Sequence, residues 1–309
     1  MRIMHTFSIV ARDPATKRLG VAVQTHWFAV GSVCPWAEAG VGVIATQSMV
    51  EVSYGPLGLN LLRDGKNAKE VLDTLISKDE HSALRQVAII DANGNIAVHT
   101  GSRCIAAAGH AVGEDFSVQA NMMINDSIWS AMAYAYQKKA GTLEERIMAA
   151  LNAAQTAGGD IRGRQSAAML VVEGEKTDSP WKHVIRNLRV DDHPEPLQEL
   201  ARLLKIDLAY EHMNKGDEFL SKNENESAMR EYQTAVDLAP GLDELPFWEA
   251  VTLADSGRVE AALPLFRNVF QSNPNWLELV KRLPAAGLLK DDPELIRKIL
   301  SANTKQDNP

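Results

Sequence analysis

The chain has little cysteine: Cys34 and Cys104 are the two thiols in 309 residues. Two thiols do not make a disulfide framework. Long apolar runs are also missing, and no stretch approaches the roughly 20 apolar residues a membrane helix needs. The opening residues, Met1-Arg2-Ile3-Met4-His5-Thr6, lack the apolar region and small-residue cleavage site of a secretory signal. Cytoplasm is therefore the expected location, with no membrane partner. Basic residues are in deficit, 32 Lys and Arg against 40 Asp and Glu, for a net charge of −8. That balance argues against a nucleic-acid surface, which needs a basic patch or stripe.

What is present is ordinary for a soluble globular protein, with 45% hydrophobic and 23% charged residues. The length suggests about two domains at roughly 150 residues each. The chain changes character near residue 191, where Asp191-Asp192-His193-Pro194-Glu195-Pro196 reads as a linker. The expected domains are residues 1–192 and 193–309.

In the first domain, the patterns predict strands at Thr6–Ala11, Leu19–Gln24, Val41–Ala45, Arg85–Asp91, Ile96–Thr100, Ile105–His110, Phe116–Asn121, Ser166–Glu173 and Val184–Val190. Asn93-Gly94 is a strong hairpin signal. Helices are predicted at Gly55–Arg63, Ala68–Ser77, Ser127–Lys138 and Leu143–Ala157, the last opened by Thr142-Leu143-Glu144-Glu145 as a capping box. Helices that arrive in pairs argue against a doubly wound parallel sheet. They favour antiparallel sheets packed between helix layers.

The second domain carries a repeat. Gly216, Phe219, Ala228, Tyr232, Ala235 and Pro240 have the spacing of a tetratricopeptide unit, and Gly257, Ala262, Phe266 and Pro274 repeat its second half. Pro240 and Pro274 lie one such period apart. In the second unit Ala250 and Leu253 take the Gly and aromatic positions. Segments Pro196–Lys205 and Asp292–Leu300 are expected to cap the stack, and the module to dock a protein or peptide partner.

The densest polar segment is Gly158-Gly159-Asp160-Ile161-Arg162-Gly163-Arg164-Gln165-Ser166. Binding groups tend to sit on loops held by a rigid scaffold; a structural salt-bridge cluster is the alternative. Arg162 and Arg164 suit a substrate carboxylate, because a guanidinium fork matches two oxygens. His26 in His26-Trp27-Phe28 is a candidate substrate wall or a packing loop. His99 and His110 without a clear third ligand make a weak metal site. Cys34 and Cys104 read as buried thiols.

Thr6 heads a buried hairpin. An N-terminal threonine can act as its own catalytic unit: the hydroxyl attacks and the free α-amine takes the proton. This arrangement resembles the N-terminal nucleophile (Ntn) hydrolase architecture. A closer resemblance rests on Thr6–Asp13, Gly20–Gln24, His26–Ser32, Pro35–Gly42, Ala45–Ser48, Tyr54–Leu59, His99–Gly101, Ala108–His110, Val118–Asn121 and Gly158–Ser166. In these the chain resembles domain of unknown function 1028, a bacterial and archaeal family with an Ntn-hydrolase-like fold. The resemblance covers about residues 6–190. It implies an α+β fold: a four-layer αββα sandwich, here followed by an all-α tetratricopeptide-like domain. By analogy with proteasome-type enzymes, it implies that Asp160 holds the amine of Thr6 and Ser166 relays or orients. Asn121 and Gln47 would stabilise an oxyanion, and Arg162, Arg164, His26 and Gln165 would bind substrate. Members often begin with Met followed directly by the threonine, whereas five residues precede Thr6 here. Unless they are removed, its nitrogen is an amide without basicity.

The expected function is an Ntn-type amidohydrolase for a small polar or acidic amide, acting as a homodimer without cofactor or metal. The alternative is a non-catalytic binding protein that captures an anionic ligand. A catalytic Thr6 should lie in an open pocket within a few ångströms of Asp160 or Ser166.

Overall fold

The protein is described by a computed structural model covering residues 2–4 and 6–303. It divides into two compact units, residues 1–203 and 204–309. Among the described residues no helix is long and apolar enough to cross a membrane.

The first unit is α+β. Its strands are β1 (Arg2–Met4), β2 (Thr6–Arg12), β3 (Leu19–Thr25), β4 (Pro35–Glu38), β5 (Gly42–Val50), β6 (Arg85–Asp91), β7 (Ile96–Thr100), β8 (Gly109–Gly113), β9 (Phe116–Ala120), β10 (Ser166–Val172) and β11 (Val184–Val190). Its helices are α1 (Tyr54–Arg63), α2 (Ala68–Ile76), α3 (Ile128–Lys138) and α4 (Leu143–Thr156). One sheet runs β1-β5-β6-β7, with β4 also on β5; the other runs β11-β10-β3-β2-β9-β8. All the pairings are antiparallel.

Side-chain alternation explains the layers. Val10, Val21, Val23, Val43, Ala45, Ala88, Ile90 and Ala168 form one core between the two sheets. Ile44, Val87 and Ile89, on the opposite face of β5 and β6, pack with Leu59, Leu62, Val71 and Leu75 of α1 and α2. On the second sheet, Gly20 lets Ile147 and Leu143 of α4 close on β3; a Cβ there would sit 2.7 Å from Ile147 Cδ1. Strands covered on both faces read as apolar throughout, which is why their sequences barely alternate.

Four strands differ from the sequence-based expectation. Residues 105–108 are irregular, and the strand begins only at Gly109. An apolar run by itself does not distinguish strand from packed loop. β5 is extended to Val50 through polar Thr46, Gln47 and Ser48. The short β1 and β4 carry no period long enough to signal a strand.

The second unit is helical. Helix α5 (Pro196–Ser221) spans the division between the units and is followed by α6 (Asn225–Leu238), α7 (Glu244–Asp255), α8 (Val259–Ser272), α9 (Asn275–Arg282) and α10 (Pro293–Ser301). Pro196–Lys205 is thus the first part of one long helix, because neither Pro nor Gly interrupts it before Gly216. Small residues allow close approach here: the Tyr232 ring lies 2.3 Å from where a Cβ on Gly216 would be. Tyr232 and Phe266 are buried, and Phe247 stacks on Trp276 with centroids 4.3 Å apart. Helices α6 and α8 each stop two residues before a proline, Pro240 and Pro274.

Candidate functional site

The inter-sheet layer is apolar at one end and polar at the other. Toward the Thr6 end, the residues that alternation points inward are Thr6 and Ser8 of β2, Thr25 of β3, Gln119 of β9, Ser166 of β10, Gln47 of β5 and Gln86 of β6. All are buried. Thr6 pairs with Thr25, and Thr25 with Ser166, so three hydroxyl residues stand in one row across adjacent strands. Asn121 extends the row on the other side, its backbone N–H donating to Thr6 O at 3.1 Å.

Buried polar groups must find partners, and here they form a network. Gln119 Nε2 donates to Ser8 Oγ at 2.6 Å, which donates to Gln47 Oε1 at 2.7 Å. Gln47 Nε2 and Asn121 Nδ2 both donate to Gln86 Oε1, at 2.7 and 2.8 Å. The same two amides approach Thr6 O, at 3.3 and 3.4 Å. Gln86 Nε2 reaches Thr100 Oγ1 at 2.9 Å, and that hydroxyl meets His110 Nδ1 at 2.9 Å. Gln47 and Asn121, expected as oxyanion donors, are therefore brought together on the carbonyl of Thr6.

The loop before β10 joins the same end from outside. Asp160 bridges Met123, two residues past Asn121, and its Oδ2 accepts from the N–H of His26, the residue after Thr25. Arg162 grips that carboxylate through Nε at 3.0 Å and Nη2 at 2.7 Å, and its own N–H donates to it as well. Ser166 Oγ donates to Trp27 O and accepts from Val30 N, fastening the loop after β3. Arg164 pairs with Glu195, Gln165 with Asp192, and exposed His26 with Arg164 O at 3.2 Å.

Three expectations need correction. Thr6 is fully buried rather than set in an open pocket, because it lies between the two sheets in a chain that leaves one sheet at Met4 and enters the other at Thr6. Ser166 stands two strands from Thr6, roughly 10 Å at the usual strand spacing, with its hydroxyl engaged by backbone. The guanidiniums expected to meet a substrate carboxylate already meet Asp160 and Glu195. Met1 and His5 lie outside the described residues.

A family model described as "Family of unknown function (DUF1028)" matches residues 6–200. The chain belongs to the DUF1028 family. Its match begins at Thr6 and spans every residue of the polar network. A DUF1028 crystal structure, that of protein SPO2555 from Silicibacter pomeroyi, is 33% identical. It superposes with a TM-score of 0.59, covering 65% of this chain and 85% of that one. No curated protein matches the chain.

Sequence reading passed over Ser8, Thr25, Gln86, Gln119 and Thr100 as sites. Their signal was available: each is a polar residue in the inward register of its strand. Burial pushes the Cys34 thiol well above its ordinary range, and its Sγ lies 3.9 Å from Gln47 Oε1. Burial likewise raises Cys104. Neither suits a nucleophilic role. His99 Nε2 is 2.8 Å from Ser82 O, so that ring nitrogen serves the backbone, and His110 Nδ1 is taken by Thr100 Oγ1.

Proposed function

We propose that the first unit is an Ntn-type amide-bond hydrolase in which Thr6 is a latent nucleophile. The observation that supports this most is the convergence of the buried polar network on Thr6, with the Asp160 carboxylate beyond the same end of its strand. The order helix pair, sheet, sheet, helix pair supports this reading. With residues 1–5 attached, the Thr6 nitrogen is an amide and takes no proton. Once they are removed it is an amine with a pKa near 8. The Thr6 hydroxyl then attacks the acyl carbon of a small polar amide, and the amine takes the hydroxyl proton and passes it to the departing nitrogen. Water hydrolyses the resulting threonyl ester. In this scheme Gln47 and Asn121 hold the oxyanion, and Asp160 holds the ammonium. Neither metal nor cofactor enters this scheme. The tetratricopeptide-like helical unit docks a peptide or protein partner, and the chain works as a cytoplasmic homodimer.

The test compares the full-length chain with a chain whose first residue is Thr6, and with the same truncated chain carrying Thr6→Ala. Small acylated amino acids and amides are the substrates. Turnover is expected from the Thr6-initiated chain alone. A full-length protein of intact mass that is equally active removes the reading. The complete burial of Thr6 favours a second reading, a binding protein that never cleaves. An inert Thr6-initiated chain that still binds the same amides selects it.

A further inference from the structure

The motif Tyr54-Gly55-Pro56-Leu57-Gly58-Leu59 plays no part in the Thr6 site. It begins α1, and Tyr54 and Leu57 from it line a cavity of about 470 Å³ that also takes in Thr74 and Leu75 of α2. That volume falls within the roughly 300–1,000 Å³ of small-molecule sites. We propose that this cavity binds a zwitterionic amino acid with an apolar side chain, free or as a dipeptide.

The wall is built rather than incidental. Arg85 is buried behind it, its Nε donating to Asp79 Oδ2 at 2.7 Å and its Nη1 to Met49 O. Asp79 also accepts from Tyr54 Oη at 2.9 Å and from the His81 N–H at 2.8 Å. Burial would raise the Asp79 carboxyl, but these hydrogen bonds outweigh it and hold the group at about 2. Asp79 is thus ionised, matched by Arg85 and fixed. Glu51 is oriented by Ser53, whose Oγ donates to its Oε1 at 2.7 Å, while its other oxygen keeps a looser contact with Arg85 Nη2 at 3.9 Å. Lys78 lines the same cavity and has no carboxylate within ion-pair distance among the described residues.

The charges around the cavity therefore balance: Glu51 and Asp79 against Arg85 and Lys78. A polyanion such as a nucleotide would meet two carboxylates, and a simple amine would leave Lys78 unmatched. A zwitterion satisfies both ends, with its ammonium on Glu51 and its carboxylate on Lys78. Leu57, Leu61 and Leu75 supply the apolar surface for a side chain. Leu57 is half exposed there, an apolar group with no protein neighbour covering it. The site lies on the helix side of the first sheet and does not depend on the chemistry assigned to Thr6.

Calorimetric titration of the full chain with L-leucine, L-phenylalanine and leucyl-leucine tests the proposal. Controls are isopentylamine, which lacks the carboxylate, 4-methylpentanoate, which lacks the ammonium, and glycine, which lacks the side chain. Saturable binding of the first three is expected, with each control at least about tenfold weaker, since a lost charge-assisted hydrogen bond, or for glycine the lost burial of the apolar side chain, is worth that much. Lys78→Gln and Leu57→Asn, both at exposed positions and checked for folding by circular dichroism, should each weaken leucine by a similar factor. Absence of binding, binding equal to that of either single-charge control, or affinity unchanged in both variants overturns it.

Discussion

Gln24 is buried in β3 with neither its Nε2 nor its Oε1 hydrogen-bonded. It sits opposite Phe7 and in line with Ala22 and Gly20, on the helix-facing side of the second sheet. An unsatisfied buried amide costs about 1–3 kcal/mol, so Gln24→Met, close in shape, should stabilise the protein by roughly that amount. Urea unfolding followed by circular dichroism measures it; a less stable variant would mean the amide has a partner after all. Gln86 is the opposite case. Its amide serves Gln47, Asn121, Thr100 and the carbonyls of Gly109 and Ala120. Gln86→Leu strands these groups in a buried layer and should cost about 2–4 kcal/mol in the same experiment. At this scale the sequence was half legible. Thr6, Gln47, Asn121 and Asp160 were picked out by type, and they do meet at one end of the sheets. The partners of Arg162 and Arg164 were not readable: Asp160 is two residues from Arg162, but only the turn geometry makes it a bidentate acceptor.

Elements with strong local signals were the most legible. The capping box at Thr142 is present, with the Glu145 N–H donating to Thr142 Oγ1 at 3.3 Å and the Thr142 N–H to Glu145 Oε2 at 2.9 Å. Asn67 and Glu70 form another at α2. Thr142→Ala should cost about 1 kcal/mol, read as a lowered denaturation midpoint with an unchanged slope. Gly216→Ala should cost more, about 1–3 kcal/mol, because the added methyl meets the buried Tyr232 ring; the melting temperature reports it. β6, β7 and β11 begin and end at the residues their patterns predict. β1 and β4 were invisible because strands of three and four residues are made by their neighbour, β5, and not by their own composition.

For the molecule as a whole, one buried carboxyl makes stability depend on pH. In the helical unit, Glu249 is pushed up to about 7 by burial, and then by the negative charge of Asp217. Asp217 itself accepts from Tyr232 Oη at 2.7 Å and Thr252 Oγ1 at 3.3 Å. A carboxyl raised in the folded state contributes its stability fully below the unfolded value, about 4.5, and loses it as pH rises through about 7. The helical unit should therefore be more stable near pH 5 than at pH 8, by up to about 3 kcal/mol from this group. Glu249→Gln should flatten that dependence and raise the pH 8 melting temperature. Thermal scans of both proteins at the two pH values check it, and parallel profiles would assign the dependence to other groups.

The sequence by itself determined the periods, the caps, the hairpin and the change from strands to helices, because these depend on neighbours within a few residues. It also determined family membership, through motifs strung along some 190 residues. The tertiary structure alone decided which motifs meet. Ser8, Gln47, Gln86, Gln119 and Asn121 are scattered through more than a hundred residues, and only sheet register joins them in one network, of which Gln47 and Asn121 reach the carbonyl of Thr6. It alone decided that Arg162 faces Asp160 and that the Tyr54 motif opens onto a cavity. Contacts between distant residues depend on register and layer packing, which no local pattern encodes.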